Sequence, residues 1–196
     1  MTVFFGKRTR IPKPKGQSFI ELAVVLSILL LLLSGMVEFG NLLNQYITVV
    51  DAARTAAREA SVADPIADSD IFFATVPVVV ENSLQPLVLN PDPPFNDDIV
   101  ISVFSVAKGQ TPVRLFGADG VSRYGNHTSD FTVEMIANRL DAGAPSTGLV
   151  LIEIFYSYPQ ILKLPFFTMV IPDPIPVHAF SIMPLSAAEP TLTPKP

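Results

Sequence analysis

Residues able to do chemistry are few in this chain, and they are scattered. There are two histidines, His127 and His178, each beside turn-forming residues. No Gly-x-Ser-x-Gly elbow, His-Glu-x-x-His pair or phosphate-binding glycine loop accompanies them, and those are the spacings that position a hydroxyl nucleophile, a zinc ion or a phosphate. The lack of cysteine removes disulfides, thiol catalysis and thiolate metal sites together. Asn90, Asp92, Asn96, Asp97 and Asp98 crowd oxygen donors into one stretch. Their spacing is not that of an EF-hand calcium loop, and a solvated acidic turn accounts for them. Asn126-His127-Thr128 fits a glycosylation triplet that short strings often match by chance. The expectation is a protein that is not an enzyme, with no cofactor and no metal site. A polar pocket converging on His127 or His178 would be the structural sign of the competing reading, a membrane-tethered hydrolase.

One further residue stands out by its surroundings. Glu21 opens an apolar run, Leu22 to Val37, that holds no formal charge. An ionised carboxylate at the edge of hydrocarbon is costly unless a cation offsets it, so acids in such places are functional candidates. The plain alternative is that Glu21 reaches back to the interface of an ordinary anchor. Glu38, at the other end, fits the outer headgroup boundary. From Phe19 to Phe39 the run is long enough for a helix to cross a bilayer core of about 30 Å, which takes roughly 20 residues.

Charge orients that span. Of the 13 basic residues, five (Lys7, Arg8, Arg10, Lys13 and Lys15) precede it with no acid among them, leaving eight against all 18 acids for the remainder. A basic flank, an apolar span and an acidic remainder place the N-terminus in the cytoplasm and the C-terminal part outside the cytoplasmic membrane, by the positive-inside rule. Scattered basic residues in the remainder disfavour nucleic acid as a partner. The partner expected from the span itself is membrane lipid.

Beyond Glu38 the helical pattern continues. Phe39, Leu42, Leu43, Tyr46, Ile47, Val50, Ala53, Ala57 and Ala60 recur at three- and four-residue steps, and Pro65 supplies the first breaker. The expected helix covers 17–63, with Ala53, Ala56, Ala57 and Ala60 forming a small-residue face on which a β-sheet of the same chain packs. Contact with neighbouring helices is the other use of such a face.

The rest divides into a basic leader, 1–16, an external α+β domain, 64–184, and a proline-rich tail, 185–196, extended or disordered. Within the domain, residues 71–87 suit a second helix kinked or started by Pro77, with a strand at Val78–Val80 as the alternative. Residues 99–106 alternate as a strand, and 108–127 read as a turn-rich hairpin. Ser129 or Asp130 would cap a short helix carrying Phe131, Met135 and Leu140, with a loop at 143–148 after it. Residues 149–158 form the strongest strand, rich in Val, Ile, Phe and Tyr. Pro172 to Pro176 would be a stiff spacer, and 177–183 a last strand. The apolar run 166–171 lies between prolines and is too short to span a membrane. The fold class is α+β: a long N-terminal transmembrane helix whose amphipathic half packs on a small antiparallel sheet.

These residues carry a resemblance. Gly16-Gln17-Ser18-Phe19-Ile20-Glu21 before a leucine-rich span resembles the leader junction of type IV pilin-like proteins. With Glu38-Phe39-Gly40 and the string Val50 to Ala60, the stretch 15–62 is similar to the TadE-like family, minor pilins or pseudopilins of tight-adherence pili. The resemblance implies cleavage by a prepilin peptidase between Gly16 and Gln17, and a role for Glu21, then the fifth mature residue, in meeting the terminal amine of a subunit during assembly. It implies other pilins and the pilus-assembly machinery as partners. Ser27 stands where many members carry proline, and Leu22 where the small major pilins carry tyrosine. The expected function is a non-catalytic pseudopilin in pilus biogenesis or secretion. The alternative is an unprocessed bitopic protein whose external domain binds an envelope partner or ligand.

Overall fold

The computed structural model describes residues 17–140 and 145–189. The leader with Gly16, the first part of the 143–148 loop and the end of the tail lie outside the described residues. The chain forms two compact units, one up to Phe39 and one from Gly40 onward.

Helix α1 covers Gln17–Ala60. Its first part is the candidate membrane span, long and apolar enough to cross a bilayer, and none of that window is buried within the chain. Leucine and isoleucine carry the helix there with little loss of rotamer freedom. The hydroxyls of Ser27 and Ser34 donate to the carbonyls four residues back, Ala23 O at 2.9 Å and Leu30 O at 2.7 Å. Such internal bonds satisfy hydroxyls that a lipid-facing helix would otherwise strand.

In the second unit α1 changes character. Val49, Ala52, Ala53, Ala56, Ala57 and Ala60 are all at most 1% exposed and share one core with Ile99, Ile101, Ile152 and Ile154. Alanine at these positions lets the sheet approach the helix backbone. The helix ends at Ala60, three residues before the expected stop. Asp64 Oδ1 takes the amides of Ile66 (2.8 Å) and Ala67 (3.0 Å), which organises the turn that follows.

Helix α2, Ser69–Leu84, starts at Asp68, whose carboxylate accepts from the Ile71 amide at 3.1 Å. Pro77 is inside it, and Val78–Val80 is helical, so the strand alternative for that run is overturned. Phe72, Val76, Val80 and Leu84 face the core at helical spacing, and that burial outweighs the β-preference of three consecutive valines.

The sheet is antiparallel. Strand β1 (Asp98–Val106) lies between the two short strands β2 (Val113–Arg114) and β3 (Val121–Ser122) on one side and β4 (Thr147–Tyr158) on the other, with β5 (Ile175–Pro184) beyond β4. Register pairs Ile99 with Ile154 and Phe155 with His178. Odd residues of β1 and even residues of β4 therefore face the two helices. The opposite face carries Phe104 and Leu151 and is covered by Phe131 and Ile136 of the segment after β3. Fold class and topology agree with the α+β reading.

Several boundaries differ from the expectation. The short helix α3, Val133–Ala137, is capped by Thr132, whose hydroxyl accepts from the Met135 amide at 3.2 Å, and not by Ser129 or Asp130. Both of those are engaged elsewhere, as described below. β4 begins at Thr147, inside the expected loop. A four-residue helix α4, Pro165–Thr168, interrupts the apolar connection. β5 begins at Ile175, two residues inside the expected proline spacer. The chain expected to be extended from Pro184 instead folds into a 3-10 turn, Ser186–Ala188, with Leu185 and Ala188 buried. Gly148 makes room for it: a Cβ there would land on the Leu185 carbonyl and within 2.6 Å of the Ala188 side chain.

Candidate functional site

Glu21 lies in the second turn of α1, on its exposed surface, four residues after Gln17. Gly16, its expected cleavage partner, is outside the described residues, as is the side chain of Gln17. The four alanines of the expected packing face, Ala53, Ala56, Ala57 and Ala60, are buried in the core of the second unit.

A second group of polar residues, unforeseen from the sequence, gathers on the sheet face away from the helices. Glu153 is in the middle of β4, paired with Val100 on β1 and Phe180 on β5, and is fully buried. Its Oε2 accepts from the Ser129 hydroxyl at 2.5 Å and its Oε1 from the Asp130 amide at 3.0 Å. His178, on β5, stands with Nε2 3.3 Å from Glu153 Oε1 and Nδ1 3.4 Å from Asp130 Oδ2. The imidazole is held flat by Phe155, with ring centroids 4.5 Å apart and planes 8° from parallel. His127 stacks on the same phenylalanine at 4.2 Å. Both histidines, Asp130 and Phe155 line one open cleft of about 720 Å³.

Arg114 supplies a positive charge nearby. It donates to the Ser129 hydroxyl at 3.4 Å and to the Phe131 carbonyl, and lies over the Phe104 ring. Burial pulls its guanidinium below the ordinary arginine range, while the Glu153 charge acts in the opposite direction.

This is the polar cleft on the histidines that would be the sign of a hydrolase, and the order of its contacts can be compared with that of a nucleophilic triad. The chain runs Ser129, Glu153, His178, Asp130. The hydroxyl is bonded to a carboxylate, and the imidazole stands between two carboxylates. A nucleophilic triad needs the imidazole between a carboxylate and the hydroxyl it deprotonates. The arrangement does not supply that base.

The acidic stretch before β1 has a structural use. Asp98 is fully buried. It accepts from the amides of Ile99 (2.8 Å), Tyr124 (2.9 Å), Asn126 (2.8 Å) and His127 (2.8 Å) and from the Ser122 hydroxyl (2.6 Å). Asp97 takes the amides of Asn90 at 2.8 Å and Ser157 at 2.7 Å. Burial pushes the Asp97 carboxyl above its ordinary value, against those hydrogen bonds. These two are loop organisers, and Asp98 is what sets His127 beside Phe155.

Asp130, Glu153 and His178 escaped the sequence because they come from three distant segments. A signal was present: Glu153 is the only charge in the strongest strand, and a lone acid in an otherwise apolar strand needs a partner.

No curated protein and no solved structure matches the chain. The family comparison falls on α1, beginning at Gly16 and taking in Glu21, Ser27, Glu38 and all but the last of the four packing alanines. Over residues 16–58 the chain matches the family described as TadE-like protein.

Proposed function

We propose that this protein is a non-catalytic pseudopilin, held in the cytoplasmic membrane by α1 and acting in tight-adherence pilus biogenesis or secretion. The observation that carries this reading is the TadE-like match over 16–58, which contains the Gly16–Gln17 junction and Glu21 at pilin spacing. The one candidate membrane span among the described residues supports anchoring. In this reading a prepilin peptidase cuts after Gly16, and the new Gln17 amine of one subunit and the Glu21 carboxylate of another offset one another's cost in the bilayer. The external domain is carried outside the membrane and contacts other pilins and the assembly machinery.

Mass spectrometry of the protein taken from its own membrane should give an N-terminus at Gln17; an intact start at Met1 or Thr2 would remove the processing step. Glu21→Ala should leave membrane insertion intact while subunit incorporation or pilus output falls. Unchanged piliation would favour the unprocessed bitopic anchor.

A further inference from the structure

We propose that Asp130, Glu153 and His178 form a binding site for a divalent transition-metal ion of the zinc class. One ligand atom from each residue lies within 4.8 Å of the others. Two features point to an ion rather than to a closed ion-pair network.

The first is spacing. A charge-assisted N–H···O bond closes to about 2.7–2.9 Å, whereas His178 Nε2, the nitrogen that would face the ion, stands 3.3 Å from Glu153 Oε1; Asp130, whose Oδ2 lies 3.4 Å from Nδ1 of the same ring, completes the set through its exposed side chain. With metal–ligand distances of about 2.0–2.1 Å, the edge of a tetrahedron is about 3.3–3.4 Å. The second is an orphaned atom. His178 Nε2 is buried and makes no hydrogen bond among the described residues, although it faces Glu153. A buried ring nitrogen left without a hydrogen bond is rare, because its lost hydration then goes uncompensated.

One imidazole and two carboxylates are a nitrogen and oxygen set suited to zinc, cobalt or nickel, and less suited to calcium, which takes oxygen ligands. The supporting shell is already built. Ser129 and the Asp130 amide fix the Glu153 carboxylate, and Phe155 fixes the His178 ring. Asp130 has an exposed side chain that closes over the ion from the cleft. His127, stacked on Phe155 in the same cleft, lines the approach and is not a ligand.

The test uses the full-length protein in detergent or nanodiscs. Isothermal titration with Zn2+ should give one ion per chain, and Co2+ should develop visible absorption bands. Asp130→Asn, at an exposed position, should weaken Zn2+ binding by about tenfold or more, and His178→Gln should abolish the Co2+ bands, both with unchanged far-UV circular dichroism. If His178→Gln fails to fold, Asp130→Asn alone carries the test. Absence of a saturable site, or binding of equal strength in the variants, would overturn the proposal.

Discussion

The Tyr156 hydroxyl donates to Gln45 Oε1 at 2.7 Å, joining the central strand to a helix residue 111 positions earlier in the chain. Tyr156 is buried and Gln45 lies on the same helix as the alanine face. Replacing Tyr156 with Phe keeps the ring and deletes the bond. Denaturant titration of the detergent-held protein should show a loss of about 1 kcal/mol. A loss well below that, with the Gln45→Ala variant equally silent, would mean that apolar packing alone joins helix and sheet.

Asp98 is a different case, because five donors converge on it. Asp98→Ala would strand four backbone amides at once. The expected cost is about 3–5 kcal/mol, near the upper end for a single substitution. Amide exchange should localise the damage to residues 122–127 before the helices loosen. Uniform exchange across the sheet would argue against a local role.

Asp97 gives a signed dependence on pH. Burial raises its folded-state pKa above the ordinary 3.8, so the folded state holds the proton more tightly than the unfolded chain does. The stability this group contributes is fully present below about pH 3.8 and is lost as pH rises through the raised folded value. Denaturation of wild type and Asp97→Asn across the acid range isolates the effect. Wild type should lose stability relative to the variant as pH rises; the opposite slope would show that the amides of Asn90 and Ser157 outweigh burial.

Gly148 is required for space and not for backbone freedom. Gly148→Ala should push the 185–188 turn off the sheet at a cost of about 1–3 kcal/mol. Faster proteolysis near Leu185, with the remaining domain intact, is the expected readout.

Much of this fold was legible because it rests on patterns local in sequence. The apolar run from Leu22, the alanine spacing from Ala53 to Ala60 and the alternation in 99–106 and 149–158 each state a period, and period names an element. The valines at 78–80 kept to the expected second helix because Val76, Val80 and Leu84 had a core to fill. An error fell where tertiary contact overrode local preference: the chain after Pro184 became ordered because Gly148 left a hollow for Leu185. The Asp130, Glu153 and His178 cluster could not be read in the same way. Antiparallel register brings Glu153 diagonally across from His178, and neither partner carries the other's address in its flanking residues.

β5 is the outer strand of the sheet, and Pro176 and Pro184 sit near its two ends. Proline has no amide hydrogen to offer, so the ladder that a foreign strand could build on this margin is short. Wherever copies of this domain meet at high local density, sheet-to-sheet zipping is thereby discouraged, which keeps crowding from becoming aggregation.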